Sequence, residues 1–156
     1  MATFAEKTDV PVEKSSAEIE GLIVRYGATS TAFMNGPGRA MIAFEASGRR
    51  ILFELPLPTI TDKRFERDGR NSIRGPEKRH EAWEQACRQK WRALALVIKA
   101  KLEAVASGIT TFEDEFLAHI VMPDGQTVAH HVKPTIAASY AAGQMQPLLP
   151  PPPKSS

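Results

Sequence analysis

The stretch Glu77–Ser107 constrains this chain more than any other part of it. Trp83, Cys87, Trp91, Leu94, Ile98, Leu102 and Val105 recur at steps of three and four residues. That is the period of an α-helix with one apolar stripe, not of a strand. Ala, Leu, Lys, Arg, Glu and Gln fill most of the positions between them, and these residues favour helix. Gly108 follows the last periodic position, where a left-handed cap is expected. At ~1.5 Å per residue such a helix is about 40–45 Å long, enough to cross a small domain. The rest of the fold has to be built around it.

The chain on either side supplies the elements to do so. Ser15-Ser16-Ala17-Glu18 has the Ser-to-Glu spacing of a capping box, and Ile19, Leu22, Ile23 and Tyr26 form a helical stripe closed by Gly27. A short helix is expected at about 16–26. Ser30–Asn35, Arg39–Glu45 and Arg50–Leu55 are strand-like, separated by Asn35-Gly36-Pro37-Gly38 and Ala46-Ser47-Gly48-Arg49, both of which are turn chemistry. Ala40, Ile42 and Phe44 share one face, as do Ile51, Phe53 and Leu55. Strict alternation predicts a meander with one covered face, and the long helix is its natural cover. Pro56 and Pro58 end the ladder.

Thr59–Pro76 is charged and rich in Arg and Gly, with Phe65 and Ile73 as its sizeable apolar anchors. It reads as a long exposed loop. Beyond the long helix, Thr111 and Asp114 have the spacing of another cap, while Phe116–Met122 reads as a strand. Pro123-Asp124-Gly125 is a turn. Thr127 begins a final helix that ends near Ala142 with Gly143 as its stop; Pro134 either kinks it or delays its start to about Lys133. The expected architecture is α+β, in the order α-β-β-β-α-β-α. A three-stranded antiparallel meander and a further strand pack against one long central helix and two shorter ones. Residues 1–14 are expected as a mobile arm, 15–145 as a single domain, and 146–156 as a proline-rich, disordered tail.

Length and composition fit that picture. The 156 residues suffice for one core without disulfides or metals, and a single cysteine excludes a disulfide framework. Cys87 lies on the apolar stripe and reads as a small buried hydrophobe. There is no secretion signal pattern at the N-terminus and no apolar run near ~20 residues, so a cytoplasmic protein without membrane association is expected.

Charge is where function begins to enter. The net charge is +2, but Thr59–Lys101 holds 12 Lys and Arg against 6 Asp and Glu, and the remainder holds 8 against 12. Such asymmetry points to an anionic partner. On a helical wheel Arg88, Arg92 and Lys99 fall within about 40° of one another, beside the apolar stripe. With Arg64, Arg67, Arg70 and Arg74 from the preceding loop they form a candidate surface for nucleic-acid phosphates or another partner. The alternative is a solvated face whose long side chains cover the edge of the core.

Other chemistry is thinner. Glu113, Asp114 and Glu115, with His119, are the residues that a metal-dependent enzyme would use. Capping or dipole chemistry accounts for the same trio. No two of His80, His119, His130 and His131 have a metal-ligand spacing. No nucleophile or phosphate-loop motif is present, and neither a cofactor nor a metal site is expected. Trp83 and Trp91 are two turns apart, which suits core packing better than base stacking.

SAEIEGLIVRYGATS (16–30) and ACRQKWRALALVIKAKLEAVASGITTFEDEFLAHIVMPDG (86–125) resemble a family of small proteins from bacterial genomes and their phages or prophages. The resemblance runs from about Glu13 to Leu149. The segment Phe33-Met34-Asn35-Gly36-Pro37 departs from it, lacking the aromatic-acidic turn of that family. The resemblance implies a phage-associated cytosolic setting and brings no activity, cofactor or catalytic residue with it. The first expectation is therefore a non-enzymatic phage or prophage accessory protein that binds nucleic acid through the basic loop and helix edge. The second is a protein-interaction module, either a homodimer or an inhibitor of a host factor. The third is the metal-dependent enzyme.

Overall fold

The structure, a computed structural model, describes residues 9–148 and 151–155. Its order is α1 (Val12–Arg25), β1 (Ser30–Gly36), β2 (Arg39–Ala46), β3 (Arg49–Pro56), α2 (Pro76–Ala106), α3 (Phe112–Glu115) and α4 (Val128–Ala142). One antiparallel sheet of order β1-β2-β3 is covered on one face by α1 and α2. The α+β meander is as expected.

The turns explain the register. Ser47 and Gly48 both have positive φ (52° and 71°), so a two-residue turn of mirror-image type joins Ala46 to Arg49. From there every even residue of β2 turns inward. Ala40, Ile42, Phe44 and Ala46, with Ile51, Phe53 and Leu55 of β3, make the buried face. Across the sheet's open face Arg50 donates to Glu45 at 3.0 Å, a cross-strand pair.

Helix α2 spans 31 residues. Cys87, Trp91, Leu94, Ala95, Ile98 and Leu102 are buried, and Trp83 and Val105 are half-buried at its ends. It stops where Gly108 takes a φ of 74°. The amides of Gly108 and Ile109 reach back to the carbonyls of Val105 and Ala104. Helix α1 ends in the same way at Gly27 and lays Ile19 and Ile23 into the core.

Two expectations are corrected. Helix α1 begins at Val12, four residues early, because Ser15 is not a cap. Ser15 sits on the same stripe as Ile19 and Ile23, is fully buried, and its Oγ has no hydrogen-bond partner. The expected arm at 1–14 is thus helical from Val12, and residues 1–8 lie outside the described part. A buried hydroxyl without a partner costs about 1–3 kcal/mol of desolvation, and alanine is also the better helix former. Ser15→Ala should therefore stabilise the protein by about 1 kcal/mol, read as a rise in Tm of about 2–4 °C.

The further strand at Phe116–Met122 is not formed. Phe112, Phe116 and Ile120 are buried at steps of four, and a helical turn followed by a 3₁₀ turn (Leu117–His119) serves that spacing. Thr111 Oγ1 caps α3 by accepting from the Asp114 amide at 3.1 Å. What remains extended are two isolated bridges, Ile51 to Ile120 and Val121 to Thr127.

The final helix runs through Pro134, with Thr127 as its cap and Gly143 as its stop. No residue of α4 is buried; it touches the Leu117–His119 turn and little else. In the tail, the Gln146 amide donates to Ser139 Oγ, and 151–155 are exposed without regular structure. Residues 149, 150 and 156 lie outside the described part. No helix among the described residues is long and apolar enough to cross a membrane.

Candidate functional site

The basic residues were expected to form one strip. The segment 59–75 that carries four of them is better ordered than a plain loop. Phe65, in a short 3₁₀ helix, is buried. Beyond it the chain closes a small hairpin with a bridge from Arg67 to Ile73. Asp68 holds the tip by accepting from the amides of Arg70 and Ser72 at 2.8 and 2.9 Å. Those two bonds hold its carboxyl below the usual range.

Most of the arginines are engaged within the protein. Arg64 lies over the Phe65 ring and 3.9 Å from Asp62. Arg67 donates to the Asn71 carbonyl at 2.9 Å, and Arg74 to the Arg64 carbonyl at 3.3 Å. Arg88 is bound to Gln85 through two nitrogens, with Glu84 at 4.0 Å. Arg92 pairs with Glu18 of α1, its side chain only 26% exposed. Arg70 stands at the hairpin tip. Lys99 is exposed, but about 35 Å along the helix axis from Pro76. The structure therefore groups Arg64, Arg67, Arg70 and Arg74 and leaves Lys99 far away. Arg88 and Arg92 lie between them, balanced by acidic partners.

One basic residue was missed. Arg79, a turn into α2, lines a cleft of about 320 Å³ with Arg74, Thr61 and Ile60, at the end where α2 begins with Pro76. Its Nε is buried without a partner. The sequence signal was weak, because Arg79 falls outside both the loop and the Arg88–Lys99 face.

The acidic trio splays apart. Glu113 meets Arg49 at 3.1 Å, Glu115 meets Lys101 at 3.3 Å, and Asp114 completes the α3 cap. His119 stacks on Phe53 with ring centroids 4.0 Å apart, and His131 meets Asp124 at 2.7 Å. Among the described residues no three His, Cys, Asp or Glu side chains are grouped to hold a metal ion.

Burial, and then the Lys101 charge, lower the pKa of His119; a hydrogen bond to the Leu52 backbone opposes the shift. The unfolded chain then takes up a proton near pH ~6.5 that the folded one refuses. This stability is fully present above that pH and is lost as pH falls through the lowered folded value. Tm should fall on acidification from about pH 7.5 to about 5.5, and His119→Gln should flatten that slope. Asp68 and Asp124, also lowered, titrate below this window.

An apolar cleft lies elsewhere. A cleft of about 400 Å³ opens between the start of α1, the β1–β2 turn and the first half of α2. Its floor is Trp83, Cys87, Trp91 and Leu57, and its polar rim is Glu13, Glu84, Arg88 and Asn35. Trp83 is fixed by its indole N–H, which donates to the Pro58 carbonyl at 2.9 Å. Burial pushes the Cys87 thiol up, against a reactive role. A second cleft of about 340 Å³ adjoins it, sharing Val12, Glu13, Asn35 and Trp91. An apolar floor with a few polar groups at the rim is the form of a binding site.

Comparison with protein-family models, with curated proteins and with solved structures returned no match.

Proposed function

We propose that this chain is a protein-interaction module that receives its partner at the Trp83–Trp91 cleft. The observation that supports it most is the cleft itself. The half-buried Trp83 and an apolar floor over Leu57, Cys87 and the edge of Trp91 stay open beside an edge strand, while the arginines next to them are matched by Glu18, Glu84 and Gln85. A surface built to follow phosphates would leave those guanidinium groups free. An aromatic floor with a charged rim suits a protein partner. Such a module fits the phage or prophage accessory role that the sequence resemblance implies.

The test is affinity capture from a bacterial lysate with the wild type and with Asn35→Trp, which fills the cleft mouth from an exposed rim position. A partner retained by the wild type and lost by the variant is the expected result. Identical captures, or a monomer in sedimentation that retains nothing, count against the module.

Nucleic-acid binding is the second reading, supported by Arg74 and Arg79 converging beside the N-terminus of α2. Fluorescence anisotropy with single- and double-stranded DNA and RNA at low salt tests it. Binding weaker than ~100 µM removes it, because even non-specific binders do better.

A further inference from the structure

We propose that β1 is the acceptor for an added β-strand: an extended segment of a partner protein that carries an apolar side chain flanked two residues away by Lys or Arg. This rests on the protein-interaction reading, extends its site along β1 to the adjoining cleft, and gives it a partner chemistry.

The first argument is the sheet's unequal edges. Beyond β3 the ladder is continued by the bridge from Ile51 to Ile120, and the Val121 amide donates to the Arg50 carbonyl at 2.8 Å. Beyond β1 no bridge or strand follows among the described residues. The turn at Pro37-Gly38 makes Gly36 and Arg39 a directly bonded pair, so Met34, Ala32 and Ser30 turn their backbone groups toward β2. Thr31, Phe33 and Asn35 therefore turn theirs outward. Open edges are normally blunted by Lys, Pro, a bulge or an inward charge. The strand STAFMNG has none of these, and its register with β2 is continuous over seven pairs.

The second argument is what lies beneath that edge. Thr31, Phe33 and Asn35 point their side chains to the helix side of the sheet, and the 340 Å³ cleft between α1 and β1 runs under them, with Phe33, Ala17 and Trp91 as its apolar part. In an added antiparallel strand the residues that bond to Thr31, Phe33 and Asn35 point their side chains to that same side. One apolar side chain meets Phe33, and its neighbours two residues away meet the cleft's ends.

The third argument is charge. Glu13 and Glu20 line this cleft and no basic residue does. Glu20 is already in reach of the edge, accepting from Thr31 Oγ1 at 3.5 Å. The flanking side chains of the guest are therefore basic. The same carboxylates argue against a second copy of this chain, since a two-fold pairing of β1 with β1 would set Glu13 and Glu20 against their own copies. Main-chain bonds then supply affinity and the cleft supplies selection, the division of labour in strand addition.

The test uses the full chain and the synthetic peptide acetyl-Thr-Lys-Thr-Val-Thr-Lys-Thr-amide. Addition should slow amide hydrogen exchange at Thr31, Phe33 and Asn35 by about tenfold or more, with little change in β3. The same peptide N-methylated at its Lys and Val residues, and one with Glu in place of Lys, should each bind about tenfold more weakly. Glu20→Lys, an exposed position, should remove most of the preference for the Lys peptide over the Glu peptide, and an unchanged preference overturns the charge assignment. Equal binding of the N-methylated peptide overturns strand addition, and equal binding of the Glu peptide overturns the charge assignment. Protection of the three amides that rises with protein concentration and without peptide gives the edge to a second copy and also overturns the proposal. If no peptide perturbs β1 while Asn35→Trp still abolishes partner capture, strand addition fails and the interaction module stands. If both effects are absent, both fail.

Discussion

Phe116→Ala should remove about 3–5 kcal/mol of stability, as whole-ring deletions in closed cores do. Phe116 is 0% exposed. Its ring stacks on Phe112 at 4.7 Å and stands edge-on to Phe44 and Phe53 at about 6 Å. It fills the space between α3 and the Phe44–Phe53 face of the sheet, beneath Lys101 of α2, so alanine there leaves a cavity in a packed region. A domain of this kind has only about 5–15 kcal/mol in total, so the variant should sit close to its folding limit at 37 °C. Urea titration checks it: the midpoint should fall with an unchanged slope. A loss below about 1 kcal/mol would mean that the 112–120 segment does not close the core. Phe116→Leu should restore part of the loss, since it keeps most of the apolar volume.

The two tryptophans should separate sharply. Trp91 is 2% exposed, lies on the buried stripe of α2 and forms part of the floor of both clefts. Trp91→Ala should cost about 3–5 kcal/mol and merge the two clefts. Trp83 is half-buried at the cleft mouth, with one hydrogen bond to Pro58. Trp83→Phe should cost about 1 kcal/mol, the net worth of such a bond, and leave the fold intact. Denaturant melts of both variants, followed by far-ultraviolet circular dichroism, decide the matter. Similar losses in the two would contradict the division between a core tryptophan and a site tryptophan. If they differ as expected, Trp83→Phe becomes a means of altering the site without touching the core.

Where sequence periodicity ran long, it told the fold. The α2 stripe from Cys87 to Leu102 and the alternation of Ile42, Phe44, Ile51 and Phe53 were both legible, because each repeats through several turns or pleats. Short segments misled. Phe112, Phe116 and Ile120 are spaced by four, but within so few residues the apolar run Phe116–Met122 equally resembled a strand. Ser15 matched a cap by its spacing to Glu18, whereas it lies inside α1 on the buried stripe of Ile19 and Ile23. The site was less legible than the fold. Its walls come from residues 11–13, 35–36, 57 and 83–91, which only the folded chain brings together. The matching of Arg92 by Glu18 and of Arg49 by Glu113 is likewise tertiary. A charge count along the chain overstated how free those arginines are.

The absence of any buried residue in α4 has a thermodynamic meaning. Every buried side chain among the described residues lies between Ser15 and Ile120. The fully buried core therefore ends at Ile120, with Met122 and Val128 packed on its margin. The C-terminal part shares its surface with the domain but adds little to the free energy that holds it, and it can open without the core opening. Substitutions at the exposed positions of α4, such as Ile136 and Tyr140, should change stability by no more than about 0.5 kcal/mol, whereas Val128 packs against the core. Thermal melts of such variants should therefore superimpose on the wild type, while those of Phe116 or Trp91 variants should not.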